Sequence, residues 1–326
     1  MINDKEFLKF EEGFFKPYFE KFIEFKRGKG EKVSHSTMIR LRKLNNSLNS
    51  YHVHHISDQM VEGLLAPHDG LSESERQYMT SSLRQFCSFV ALLGVDAVDV
   101  PQKYMQAVRC EFRPYIFSDE ELQRLVSAAD TLPTARRSNA HKQVYPVLVR
   151  ILIGTGMRIG EALALTRADV DPSNGVIHAI NGKNGVSRYI PVSESLKKII
   201  QGYTATIDMT DGNKPFFMSS YTNGHLTYSA MKYMFPKMFK EAGIYTAHGK
   251  TPNIHSIRHT FCTRSLEKML GIGMDVYTAI PILAAYVGHV NYMDTEKYIH
   301  FTEQGHEDFV QKESSLGSLF PEVENE

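Results

Sequence analysis

The residues with chemistry to offer cluster towards the end of the chain. His255 and Arg258 stand three apart in Asn253-Ile254-His255-Ser256-Ile257-Arg258-His259-Thr260-Phe261, and His289 follows a glycine in Tyr286-Val287-Gly288-His289. Tyr298 comes nine residues after His289. The stretch through Met269 reads as helix, so His255 and Arg258 share a face. A planar, always-charged guanidinium beside a titratable imidazole suits a phosphate whose ester oxygens gain and lose protons. Tyr298 falls on a second short helical run, Met293 to Phe301. Any one of these residues alone reads as a structural hydrogen-bonding group, a surface cation or a core ring. Their joint spacing carries the case.

Two upstream elements supply further candidates. In Gly154-Thr155-Gly156-Met157-Arg158-Ile159-Gly160-Glu161, a buried helix, Val144 to Ile153, ends at a glycine pair and Arg158 opens a new helix. Such a turn can push one guanidinium out of an apolar layer into a cleft. Glu161, one turn on, is placed to hold it or nearby backbone. Further along, Val176 to Ile180 and Ser187 to Val192 alternate as strands around Asn181-Gly182-Lys183-Asn184-Gly185, which is a hairpin signal. Lys183 sits near its tip, free to reach into a groove.

An arginine, a lysine, His-x-x-Arg, Gly-His and a tyrosine in this order resemble the tyrosine recombinase (phage integrase) family. The segments TGMRIGEALAL, HSIRHTFCT and YVGHVNYMDTEKYIHFT are similar to its three signature segments. The step from His289 to Tyr298 matches the family's step to its nucleophile, and the step from Lys183 to Arg188 matches its hairpin. Some members carry a second lysine in that hairpin; Val186 stands there in this chain, which leaves Lys183 as the lysine candidate. Val287 and Ile257 stand where leucine is commoner, away from the catalytic positions. The motifs cover Phe117 to Thr302, and the N-terminal third matches only in general organisation.

The resemblance implies site-specific DNA strand exchange on double-stranded DNA. Tyr298 would attack a scissile phosphate, giving a 3′-phosphotyrosyl bond and a free 5′ hydroxyl. Arg158 and Arg258 would neutralise the nonbridging oxygens, with Glu161 in support, and His289 would donate a further hydrogen bond. Lys183 would protonate the leaving oxygen. His255 would assist proton transfer at Tyr298, because a phenol with an ordinary pKa of about 10 needs a base. The covalent link conserves the energy of the broken bond, so no cofactor and no metal is expected. A type IB-like topoisomerase shares much of the constellation, and a catalytically silent DNA-binding regulator could share the fold. Length favours a recombinase over the first, and the intact tyrosine, arginines, lysine and histidines speak against the second. Among recombinases the active site does not separate integrase, transposase and resolvase; the reading leans to a mobile-element integrase or transposase.

Composition permits this reading without demanding it. The chain has 326 residues, 42% hydrophobic and 23% charged, and a formal net charge of zero. Residues 303–326 carry seven acids and one lysine, a net of −6, so the remaining 302 residues carry +6. Basic residues cluster at Lys26, Arg27, Lys29 and Lys32, and again at Arg40, Arg42 and Lys43, as expected of contacts to a DNA backbone. Arg136 and Arg137 lie in or near a loop and are further candidates. Cys87, Cys110 and Cys262 form no disulfide or metal pattern, which fits a reducing cytosol. No signal peptide or bilayer-spanning run is read, so the expected location is cytoplasmic. His52, His54 and His55 lack acid or cysteine partners at ligand spacing and are not read as a metal site.

The fold expected is mainly α with a small antiparallel β-sheet. Residues 1–100 read as a helical core-binding domain, 101–116 as a linker, 117–302 as an α+β catalytic domain and 303–326 as an acidic tail. Residues 4–27 read as one helix with an aromatic face of Phe7, Phe10, Phe14, Phe15, Phe19 and Phe22. Met79, Leu83, Phe86, Val90 and Leu93 mark an amphipathic helix ending at Gly94. Capping boxes are read at Ser72 to Glu75 and Ser118 to Glu121. A short strand is read over Phe216 to Met218. The resemblance also implies a dimer on each duplex and a tetramer on paired sites, with the tail docking on a neighbouring protomer through Leu316, Leu319 and Phe320.

Overall fold

Helix starts in this protein are set by short polar side chains. Ser34, Ser57, Ser118, Ser193, Thr227 and Asp275 each accept a backbone N–H from three residues on, satisfying a donor that the first helical turn leaves open. At Ser118 the box is complete: Glu121 returns a bond to the Ser118 N–H at 3.0 Å. The computed structural model describes residues 9–31, 33–66, 73–100, 114–132, 139–180, 187–219 and 224–289, together with residues 295 and 298. Lys32, the Lys183 turn, Arg136, Arg137, Ser72, most of 101–116 and the tail lie outside the described residues.

The chain divides into two compact units, Met1–Phe112 and Arg113–Glu326. The first holds α1 (Lys16–Gly28), α2 (His35–Asn49), α3 (Asp58–Leu65) and α4 (Glu73–Leu92). Phe15, Phe19, Phe22, Leu41, Leu44, Leu83 and Phe86 fill its core. Phe19 and Phe86 stack with ring centroids 3.7 Å apart. Two expectations change here. The helix read over 4–27 is confined, among the described residues, to Lys16–Gly28, where Pro17 takes the first turn and its missing N–H costs nothing; residues 9–12 are not helical, and residues 1–8 with Phe7 lie outside the described residues. Leu93 lies beyond the end of α4 and is 46% exposed, so it is not part of the buried face.

The second unit holds α5 (Asp119–Thr131), α6 (Asn139–Thr155), α7 (Ile159–Ala164), strands β1 (Val170–Asp171), β2 (Val176–Ala179) and β3 (Arg188–Pro191), then α8 (Glu194–Thr204), α9 (Tyr228–Glu241), α10 (His255–Gly271) and α11 (Val276–Val287). The three strands form one antiparallel sheet in the order β1-β2-β3, with Ile177 opposite Ile190. Those two isoleucines are fully buried and belong to the same core cluster as Leu148 and Leu152 of α6. The segment Phe216–Met218 is not a strand among the described residues; single bridges stand at its two ends, Thr166 to Pro215 just before it and Met218 to His225. Phe216 and Phe217 are instead drawn inward as core side chains, 1% and 0% exposed. A separate cluster of Cys262, Leu266, Ile280, Leu283, Val287 and Tyr298 packs α10 against α11.

Candidate active site

Helix α10 is unusual in what it buries. Ser256, Arg258, His259, Thr260 and Thr263 are all buried alongside Ile257, Cys262 and Leu266. Polar groups in such number persist in a core only when they are bonded, so this face is built for something besides packing. Thr260 shows the bonding: its hydroxyl donates to Ser256 O at 2.9 Å and accepts the Phe117 N–H at 3.0 Å. The Arg264 guanidinium adds bonds to Phe117 O and Asp119, tying the start of α5 to this helix.

Helix α11 ends at Gly288, which adopts a left-handed conformation, φ +69°. The last carbonyls of a helix lack intrahelical partners and form the negative end of its dipole. Three guanidiniums from three different elements take them. Arg188 Nε donates to Tyr286 O at 2.8 Å, and Arg258 Nη2 donates to Val287 O at 2.7 Å. Arg158 Nη1 and Nη2 donate to Gly288 O at 3.3 and 3.4 Å. Arg258 also donates from Nη1 to Gly156 O at 2.8 Å, so the glycine turn before Arg158 and the end of α11 share one side chain. Gly156 needs its freedom twice over: φ is +60°, and a Cβ there would lie 2.3 Å from the Phe261 ring.

Arg158 is the N-cap residue of α7, one position before the helix rather than its first residue. Glu161 accepts the Arg158 backbone N–H at 3.1 Å and its Nη1 at 2.8 Å. It also accepts Arg188 Nη2 at 2.9 Å. Burial by itself pushes the Glu161 carboxyl up, but Arg188 first and Arg158 second hold it below the usual carboxylate range. Burial, with the charge of Arg158 beside it, pulls Arg258 down to about 10. That still leaves it charged at neutral pH.

Tyr298 is 1% exposed, packed between α10 and α11. Its hydroxyl is hydrogen-bonded to His259 Nδ1 at 2.9 Å. Burial, and next the Cys262 thiol bonded to it, push this phenol far above its ordinary value, while Arg258 and Arg158 pull less strongly the other way. It is therefore protonated at neutral pH and needs a proton acceptor before it can attack anything. His255, at the first turn of α10, is exposed, with its ring edge-on to His259 at 4.7 Å. His289 lies parallel to the Tyr298 ring at 6.5 Å and is hydrogen-bonded through Nδ1 to Thr295 Oγ1 at 2.8 Å.

The structure thus gathers Arg158, Glu161, Arg258, His289 and Tyr298 around the end of α11, with His255 one turn away from His259. The sequence reading missed His259, whose signal was its spacing four residues after His255 on the same helix face. It also missed Thr295, three residues before Tyr298, and the inward turn of Arg188. Lys183 falls outside the described residues; the strands that carry its turn are paired from Val176 opposite Pro191 to Ala179 opposite Arg188.

In the first unit, Lys29 and Lys43 are exposed, and Lys29 lies over the Phe25 ring. Arg40 stacks on Tyr78 at 4.9 Å, and Arg42 is half-buried. His54 stacks on Phe14 at 4.4 Å. Among the described residues no group of three or more His, Cys, Asp or Glu side chains is arranged to hold a metal ion, and no helix is long and apolar enough to cross a membrane.

The sequence model described as the phage integrase family matches residues 116–304. Over 194 residues the chain is 31% identical to a putative integrase/recombinase, y4rB, of Sinorhizobium fredii, covering 57% of this chain and 61% of that protein. It is 25% identical over 226 residues to the tyrosine recombinase XerC of Staphylococcus saprophyticus, covering 69% and 70% of the two chains. The structure resembles that of a lambda integrase (75-356) dimer bound to a COC′ core site, with a TM-score of 0.65 at 14% identity over 86% of this chain and 94% of the other.

Proposed function

The chain belongs to the phage integrase family, and on that premise we propose that it is a tyrosine recombinase, cutting and rejoining double-stranded DNA at specific sites. Tyr298 Oη attacks the scissile phosphorus, the bond from phosphorus to the 5′ oxygen breaks, and a 3′-phosphotyrosyl link forms. The Tyr298 proton passes to His259, with His255 beside that ring assisting, and Lys183 protonates the departing 5′ oxygen. Arg158 and Arg258 carry the charge that builds on the nonbridging oxygens, and His289 adds a hydrogen bond. A 5′ hydroxyl from the exchanging strand then reverses the step and regenerates the phenol. No external energy source enters, since one ester replaces another.

The observation that carries this reading is the meeting of Arg158 and Arg258 at the end of the helix that leads to His289, beside Tyr298. Because Tyr298 is buried, its oxygen must turn towards DNA as it gives up its proton, and DNA binding supplies the occasion. Nucleic-acid contact by Lys29, Lys32, Arg40, Arg42, Lys43, Arg136 and Arg137 belongs to the same proposal. So do the dimer on each duplex, the tetramer on paired sites, a cytoplasmic location and a role in a mobile element.

The test uses nicked duplexes tiled across the DNA that flanks the coding region. The nick lets the strand beyond the cut diffuse away, which traps the covalent adduct. The protein should form an SDS-resistant adduct on one of them, and Tyr298→Phe should still shift that duplex in a gel while forming none. Tyr292→Phe should retain the adduct. An adduct on Tyr298→Phe would defeat the assignment of the nucleophile.

A further inference from the structure

Arg188 opens β3, five residues after Lys183, and its side chain turns inward, with 8% of it exposed. Its guanidinium does three things. Nη2 donates to Glu161 Oε2 at 2.9 Å, and Nε donates to Tyr286 O at 2.8 Å. Nη1 lies against the backbone of Gly288, where an added Cβ would come within 2.6 Å of it. The other Glu161 oxygen takes Arg158 Nη1 at 2.8 Å. Arg188 therefore stands one residue removed from Arg158 and in direct contact with the turn that delivers His289.

We propose that Arg188 is a positioning residue for DNA cleavage, bridging Glu161 and the end of α11 so that Arg158 and the Gly288–His289 turn are held in register with each other. The proposal rests on the DNA-cleaving reading given above. Arg188 is not placed to meet substrate itself, because it is buried behind the residues it holds. Arginine suits the task because its planar fork fixes two donors in set directions. A lysine would bring the charge without that geometry. The bridge also has a mechanical reach: Arg188 lies on the strand that leaves the Lys183 turn, so one guanidinium ties the hairpin, the Arg158 helix and the α11 terminus together. Reacting groups held in this way lose rate steeply when displaced by even an ångström.

Arg188→Lys and Arg188→Gln would be compared with the unaltered protein on the duplex it cleaves, made once with the natural phosphodiester and once with a methylphosphonate at the scissile position. The methylphosphonate has a neutral methyl in place of one charged oxygen, so it depends less on a well-placed Arg158. On the phosphodiester both variants should cleave about 10²-fold more slowly, the loss a small misplacement brings, with DNA affinity unchanged. On the methylphosphonate their deficit should shrink several-fold. A deficit of the same size on both substrates would overturn the proposal in favour of a general structural role. So would an Arg188→Lys variant that cleaves the phosphodiester at the normal rate. Should Arg188→Gln fail to fold, Arg188→Lys decides alone. If the unaltered protein forms no adduct on any duplex, the DNA-cleaving reading itself falls, and this proposal with it.

Discussion

At the scale of single residues, the site separates charge that must be fixed from charge that must move. Arg158 and Arg258 are fixed: each donates to carbonyls on two elements or to a carbonyl and a carboxylate. Arg158→Ala and Arg258→Ala should each slow adduct formation by about 10²–10³, the loss seen when one preorganised donor to a developing negative charge is removed. Measured single-turnover rates close to normal for either variant would remove it from the clamp. Glu161 is the counter-charge that keeps two of the guanidiniums in place. Deleting it as Glu161→Ala leaves two arginines without their partner in a buried setting and should cost about 3–5 kcal/mol in urea denaturation. Its lowered carboxyl pKa also fixes a pH dependence. The ionised form is favoured in the folded protein, so Glu161 stabilises the fold above its usual value of 4.5 and loses that contribution as the pH falls further. Denaturation midpoints of the unaltered protein and of Glu161→Gln should therefore converge below that pH; parallel curves would contradict the argument.

At the scale of elements, the α11 terminus organises the site. A helix end offers unpaired carbonyls and a negative dipole, and guanidiniums are the side chains best able to bond both. Gly288 is what makes that end possible. Its φ of +69° favours glycine, and a Cβ would collide with the Arg188 guanidinium. Gly288→Ala should lower stability by about 1–3 kcal/mol, the usual cost of a side chain in such a backbone conformation. It should also slow cleavage, through the displaced arginine. An unaltered melting temperature would show that the turn relaxes freely. The N-terminal unit has a comparable pivot in Phe86, which meets Phe15, Phe19 and Phe22. Phe86→Ala should cost about 3–5 kcal/mol.

At the scale of the whole molecule, strand exchange needs several protomers acting together, and the tail is the segment proposed to link them. Residues 314–326 set Leu316, Leu319 and Phe320 among acids. Under that proposal this short apolar segment docks in a pocket on a neighbour, while the surrounding acids repel stray DNA. Deleting 314–326 should weaken assembly on duplexes with paired sites and leave binding to one site nearly unchanged. Gel shifts on one-site and two-site substrates decide it, and unchanged two-site assembly with unchanged recombination would make the tail dispensable.

Sequence alone determined the local facts. The cap at Ser118, the period of α4 and the alternation around the Lys183 turn are set by residues a few positions apart, so they can be read without the fold. The order of arginine, lysine, His-x-x-Arg, Gly-His and tyrosine was enough to name the family, because spacing along a helix or turn survives in the linear chain. Only the tertiary structure decided who meets whom. Arg188 and Tyr286 are 98 positions apart, and Arg158 and Gly288 are 130 apart, yet both bonds close on one helix end. His259, one turn along α10 from His255, meets the Tyr298 hydroxyl at 2.9 Å, a contact that depends on how deep the tyrosine ring packs against the helix. Helix periodicity says which residues share a face. The depth at which a distant side chain meets that face depends on how α10 and α11 pack, which the linear chain does not display.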